Sequence, residues 1–210
     1  MVGRIITSDA CVAEGAAYLA AIEPRFAVAL EQTGALPLRL KADGFEALLD
    51  AIVSQQISVA AASSIWKRLK DARLVAPKNV QAASEDDLRA CGLSRPKIRY
   101  AKALAESRLD YVVLRGLPTR DVIAQLVEIK GIGAWTAEIY AMFSLGRADV
   151  FAAGDLALQE AAKILFELDA RPTEKAFNVM AKAWSPWRAV AARLLWSYYR
   201  VAKDREGIKE

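Results

Sequence analysis

The sequence contains no histidine. That absence excludes Ser-His-Asp and Cys-His nucleophile systems and every His-ligated metal centre. Thiols are almost as scarce. Cys11 and Cys91 alone cannot supply a four-cysteine iron–sulfur cluster or a structural zinc, and both are expected to be buried, reduced and inert. No run of about 18 apolar residues and no charged, apolar, small-residue leader is visible, so neither a membrane span nor a secretory signal is expected. The expected location, by default, is cytoplasmic. Chemistry in this chain must rest on carboxylates, lysines, hydroxyls or backbone amides.

What is present is ample apolar material. With 210 residues and 54% hydrophobic content, the chain can bury a real core unaided. Its 29 basic and 25 acidic residues give a net charge of only +4, which permits a polyanionic partner and argues for one only weakly. Apolar residues recur at three- and four-residue steps, and no alternating strand pattern competes, so the chain reads all-α. Asp43 is expected to cap a helix bearing Phe45, Leu48, Leu49, Ile52 and Val53, and Ser58 the next, with Gln55-Gln56-Ile57 as the corner between. Ser84 with Asp87 heads a short helix that Gly92 ends; Ser94 and Pro96 begin another. Thr119 opens the helix before residue 128. Helices follow over 134–145, about 156–168 and 173–183, and Ser185 with Pro186 in the first turn is expected to cap the last one.

Residues 128–144, EIKGIGAWTAEIYAMFS, place Gly131-Ile132-Gly133 between two helical patterns. A Gly-x-Gly turn at a helix start lets backbone N–H groups approach an anion, which the helix N-terminus also favours. No Gly-Lys-Ser/Thr and no third glycine at the dinucleotide spacing follows, and a helix precedes the turn, so it is not a nucleotide phosphate loop. The alternative is a tight αα-hairpin that needs glycine only for positive φ. By periodicity Trp135 shares a face with Ile139, Met142 and Phe143 and reads as core. On the last helix Trp187, Val190, Leu194, Tyr198 and Val201 form one stripe, while Trp196 projects the other way beside Arg193 and Arg200.

Asp155 follows Gly154 and precedes an apolar-periodic helix with Leu158, Ala161, Leu165 and Leu168 on its buried stripe. Locally it reads as an N-cap. Capping does not preclude catalysis. Its neighbours Val150, Phe151, Ala152, Ala153 and Leu156 are apolar, and a carboxylate against an apolar wall stabilises a developing cation better than one in water.

Four stretches together resemble a known family: 129–137 (IKGIGAWTA) with Asp155 beyond it, 51–60 (AIVSQQISVA), 92–97 (GLSRPK), and 184–188 (WSPWR) with Trp196. They resemble the helix–hairpin–helix (HhH-GPD) DNA glycosylase superfamily, in particular its 3-methyladenine DNA glycosylase II, or alkylbase glycosylase, branch. The resemblance implies an all-α, two-lobed fold with the active-site cleft between lobes and no amino-terminal β domain. One lobe would be 1–39 plus 150–210, the other 40–149 with the helix–hairpin–helix at about 119–145. It implies a base-excision-repair enzyme that hydrolyses the N-glycosidic bond of alkylated purines in duplex DNA and leaves an abasic site.

The same likeness assigns roles. Asp155 would be catalytic, and Trp135, Trp196, Ile139 and Tyr140 would line the base pocket, with Tyr199 a weaker candidate. Lys130, Gly131, Ile132, Gly133 and Ala134 would form the DNA-binding hairpin, often with a monovalent cation on nearby carbonyls; no other cofactor or metal is implied. Gln55, Gln56 and Ile57 would wedge into the duplex, Gln56 standing where relatives carry leucine. Ser94, Arg95 and Lys97 would add phosphate contacts. Strand-cutting members carry lysine where Trp135 stands, so no lyase activity is expected; Ile139 replaces a pocket tyrosine. The protein would act as a monomer on double-stranded DNA, away from membranes. The rival readings are a non-catalytic hairpin module that binds DNA structure and a glycosylase for another lesion.

Overall fold

The computed structural model describes residues 2–205, almost wholly helical. Helices α1 (Asp9–Ile22) and α2 (Pro24–Thr33) come first, followed by α3 (Phe45–Ser54), α4 (Val59–Asp71), α5 (Pro77–Ala82), α6 (Glu85–Ala90) and α7 (Arg95–Glu106). Next are α8 (Tyr111–Gly116), α9 (Thr119–Val127), α10 (Ala134–Phe143), α11 (Leu156–Leu165) and α12 (Glu174–Met180). A 3-10 turn (Ala181–Trp184) leads to α13 (Arg188–Arg205). Among the described residues the only extended pairing is an isolated bridge between Ile5 and Arg147. No helix among them is long and apolar enough to cross a membrane.

The chain packs as two compact units, one built on 41–140, the other on 3–40 with 141 onward. In the first, α3 buries Phe45, Leu48, Leu49, Ile52 and Val53 and packs on α7, whose opposing face buries Ile98, Ala101 and Leu104. In the second, α1, α2 and α11 surround α13. Its centre is aromatic: Phe26, Phe151, Phe166 and Phe177 group around Trp184, with ring centroids 4.9–5.9 Å apart. Such pairs each add about 0.5–1.5 kcal/mol to what burial of the rings supplies.

Residues 141–149, expected with the hairpin, pack instead in the second unit. The amino-terminal segment holds them: the Ile6 N–H donates to Gly146 O at 2.7 Å and the Ala148 N–H to Arg4 O at 3.0 Å. Several helix starts follow the sequence signals. The Ser58 side chain accepts from the Ala61 N–H, Ser84 and Asp87 form a reciprocal capping box, and Thr173 accepts from the Ala176 N–H. Two differ. Asp43 does not cap α3; Gly44 holds that position, and the Asp43 carboxylate pairs with Arg115. Ser185 lies outside α13, its hydroxyl donating to Asp149 at 3.0 Å, where Arg188 also binds.

Candidate functional site

In the first unit the hairpin residues sit between α9 and α10. Gly131 has φ 96°, and a Cβ there would lie 2.2 Å from Cγ of Tyr100. The fold itself therefore requires that glycine. Gly133 is different: its φ is ordinary, and a Cβ would meet nothing within 4 Å. Its carbonyl accepts the Ala137 N–H at 3.0 Å, so it is the residue before the first turn of α10. Helix geometry leaves the first amides of α10 without intrahelical partners. Gly133 and Ala134 are exposed, as is Lys130, whereas Ile132 is buried as the hairpin's apolar anchor.

Trp135, a core residue by periodicity, is 47% exposed. The stripe it belongs to reaches the core only farther along α10, at Met142 and Phe143; Ile139 is half-buried. Tyr140 is buried, and its hydroxyl accepts the Gly44 N–H at 2.9 Å. Burial pushes that phenol up to about 12. Its hydroxyl is thus part of the start of α3 rather than an open surface.

The corner between α3 and α4 lies in the same unit. Gln56 is exposed and left-handed, with φ 56°. Ile57 and Val59 are exposed beside it. Gln55 points elsewhere: its side-chain N–H donates to Gly131 O at 2.9 Å. Ser94 and Arg95 are exposed at the head of α7. Lys97 is not. It is only 9% exposed and its ammonium donates to Val53 O at 2.7 Å, a carbonyl at the end of α3. Desolvation holds its pKa below the usual lysine value. A surface phosphate contact is ruled out for Lys97 because its long stem carries the charge inward to an unsatisfied helix end.

In the second unit Asp155 caps α11, its Oδ1 accepting the Leu158 N–H at 3.0 Å. The same oxygen accepts the indole N–H of Trp196 at 3.2 Å. The turn leading to it is fixed from below. Buried Gln159 donates to Ala153 O at 2.7 Å, the Asp155 N–H to Ala152 O at 3.0 Å, and Phe151 is sunk in the aromatic centre. Asp155 is half-buried between this wall and exposed Leu156. Trp196 is half-buried and tilts against Phe143 with centroids 5.9 Å apart.

Arg193, placed beside Trp196 by the helical period, is 1% exposed. Its guanidinium lies 4.7 Å over the Phe143 ring and donates to Leu38 O and Ala189 O. Burial works against its charge. Sequence periodicity missed this residue, as it did Gln159, because both are polar side chains facing inward. Tyr199 is half-buried with Lys203 over its ring. Cys91 is a buried thiol as expected, but Cys11 is only half-buried, and hydrogen bonding from Ser8 draws its thiol down to about 7. Among the described residues no group of three or more Cys, Asp or Glu gathers as a metal site would.

Comparison with known proteins bears on this arrangement. Residues 49–189 match the HhH-GPD superfamily of base excision DNA repair proteins, and the chain belongs to that family. It is 32% identical over 171 residues to DNA-3-methyladenine glycosylase 1 of Schizosaccharomyces pombe, covering 77% of this chain and 75% of the relative. Its fold is similar to the crystal structure of DNA-3-methyladenine glycosidase from Bacillus halodurans, with TM-score 0.79, 36% identity, and 90% and 89% of the two chains covered. It is also similar to the Schizosaccharomyces pombe 3-methyladenine DNA glycosylase in complex with abasic DNA, with TM-score 0.74, 29% identity, and 87% and 95% covered.

Proposed function

We propose that this protein is a monofunctional DNA glycosylase that hydrolyses the N-glycosidic bond of alkylated purines, of the 3-methyladenine and 7-methylguanine type, in duplex DNA. The observation that carries the reading is the Asp155 carboxylate at the head of α11, oriented by two N–H donors in a chain of this family.

The chemistry follows from what the residues can and cannot do. Alkylation at N3 or N7 leaves the purine cationic, so it departs with the bonding electron pair as a neutral base and needs no proton from the enzyme. That suits a chain without histidine. The sugar left behind carries positive charge. A carboxylate fixed against an apolar wall stabilises it electrostatically and can accept a proton from the water that adds to the anomeric carbon. The products are free base, an abasic sugar and one proton.

Trp135 cannot form a Schiff base, so strand cleavage is not part of the reaction. Its exposed indole offers a stacking face for a flipped, electron-poor base, worth up to about 2 kcal/mol when desolvated. The hairpin amides grip a phosphate without reading sequence, as a search for damage requires. A monovalent cation, where one binds, would take backbone carbonyl oxygens near the hairpin, and no step depends on one. The reading carries with it a monomer working on DNA in the bacterial cytosol.

The test is release of free base from duplex oligonucleotides that each carry one lesion, with 3-methyladenine, 7-methylguanine, hypoxanthine, ethenoadenine and 8-oxoguanine as the panel. The alkylated purines are expected to be excised, leaving alkali-labile but uncut strands. Asp155→Asn should lower the rate about 100- to 1,000-fold, the scale of losing a preorganised electrostatic contact. Asparagine also caps helices, so folding should hold. No base release from any alkylated duplex would overturn the reading.

A further inference from the structure

Gln55 stands in the corner assigned to the wedge, yet its amide is committed to the hairpin carbonyl of Gly131, 2.9 Å away. The corner and the hairpin also share a backing. Lys97 and Tyr100 lie one turn apart on α7. Lys97 binds Val53 O at the end of α3, immediately before the corner. Tyr100 lies so close to Gly131 that a Cβ there would overlap its ring. Between these attachments Gln56 is held at φ 56°, a conformation a non-glycine residue keeps only when its surroundings impose it.

Resting on the wedge and clamp roles proposed above, we infer that Gln55 is a positioning residue that locks the wedge corner to the phosphate-gripping hairpin. In this arrangement neither element can shift without the other, so seating a phosphate on the hairpin sets the depth at which Gln56 enters the stack. Gln55 itself does not insert.

The discriminating measurement compares single-turnover excision of one lesion placed opposite its normal partner and opposite an abasic site, where extrusion needs little help. Gln55→Leu keeps the bulk and deletes the donor; Gln55→Glu replaces the donor with an oxygen that repels the Gly131 carbonyl and serves if the leucine variant folds poorly. Either should raise the preference for the unpaired lesion about tenfold, the factor that one lost hydrogen bond carries. A 2-aminopurine next to the paired lesion should report correspondingly less unstacking. Equal losses on both substrates would mean a general structural role and overturn the proposal. So would an unchanged preference in Gln55→Leu alongside a raised one in Gln56→Ala. If Gln56→Ala also leaves preference and unstacking unchanged, the wedge reading itself is wrong and the coupling falls with it.

Discussion

Two donors meet on one oxygen of Asp155, and their loss would have different effects. The Leu158 N–H belongs to α11 and cannot be removed without remaking the helix start, whereas the Trp196 N–H can be deleted alone. Trp196→Phe keeps a ring against Phe143 but no donor. A hydrogen bond to a charged group contributes about 1.5–3 kcal/mol, so base release should slow at least about tenfold. Thermal melting should change little, because the ring still packs. A rate equal to the parent protein's would show that the indole N–H does not orient the carboxylate. The residue scale also shows what local sequence cannot carry. An aspartate before an apolar helix announces a cap, and Asp155 is one. That a tryptophan far along the chain shares its oxygen is a tertiary fact with no local signature.

At the scale of elements, the hairpin's two glycines serve different ends. Gly131 is required by the fold, being left-handed and pressed against Tyr100. Gly131→Ala should cost about 2 kcal/mol or more and lower Tm by about 4–8 °C for a chain of this size. Gly133→Ala meets no obstruction, so it should leave Tm unchanged or raise stability by up to about 1 kcal/mol through the unfolded chain. Its expected effect is on DNA affinity, where a methyl group would hold a phosphate off the amides. Binding of an undamaged duplex, measured by anisotropy, should weaken in Gly133→Ala; unchanged affinity would remove Gly133 from the clamp.

Helix starts at Ser58, Ser84 and Thr173 were legible because a cap is a contact between residues three apart. Asp43 and Ser185 were misread because Arg115 and Asp149, distant in sequence, take those side chains. Lys97 was misread for a related reason: a basic residue at a helix head looks solvated until another helix end is placed against it.

For the molecule as a whole, two buried phenols of the first unit make stability sensitive to alkali. Burial raises the phenols of Tyr111 and Tyr140 above their ordinary value, Tyr140 to about 12. A folded pKa above the unfolded one means the folded state holds the proton more tightly. The stabilisation is therefore complete below the unfolded value near pH 10 and is lost as pH rises through the folded value. Tm should fall steeply between about pH 10 and pH 12, and Tyr111→Phe should flatten that fall. A slope unaffected by the substitution would mean that other groups set the limit. The all-helical class was readable from periodicity, and the family from the resemblance of four short stretches. The assignment of 141–149 was not, because it depends on an amino-terminal segment that gave no periodic signal.

The pairing of that segment with residues 146–148, and the enclosure of α13 by α1 and α2, bear on how the chain is born. The unit carrying Asp155 is built from stretches on both sides of 41–140. While the ribosome is still making the middle, α1 and α2 have each other to pack against but not yet α13. The stretch 41–140 is continuous in sequence, but the acid's own housing is incomplete until α13 has left the exit tunnel.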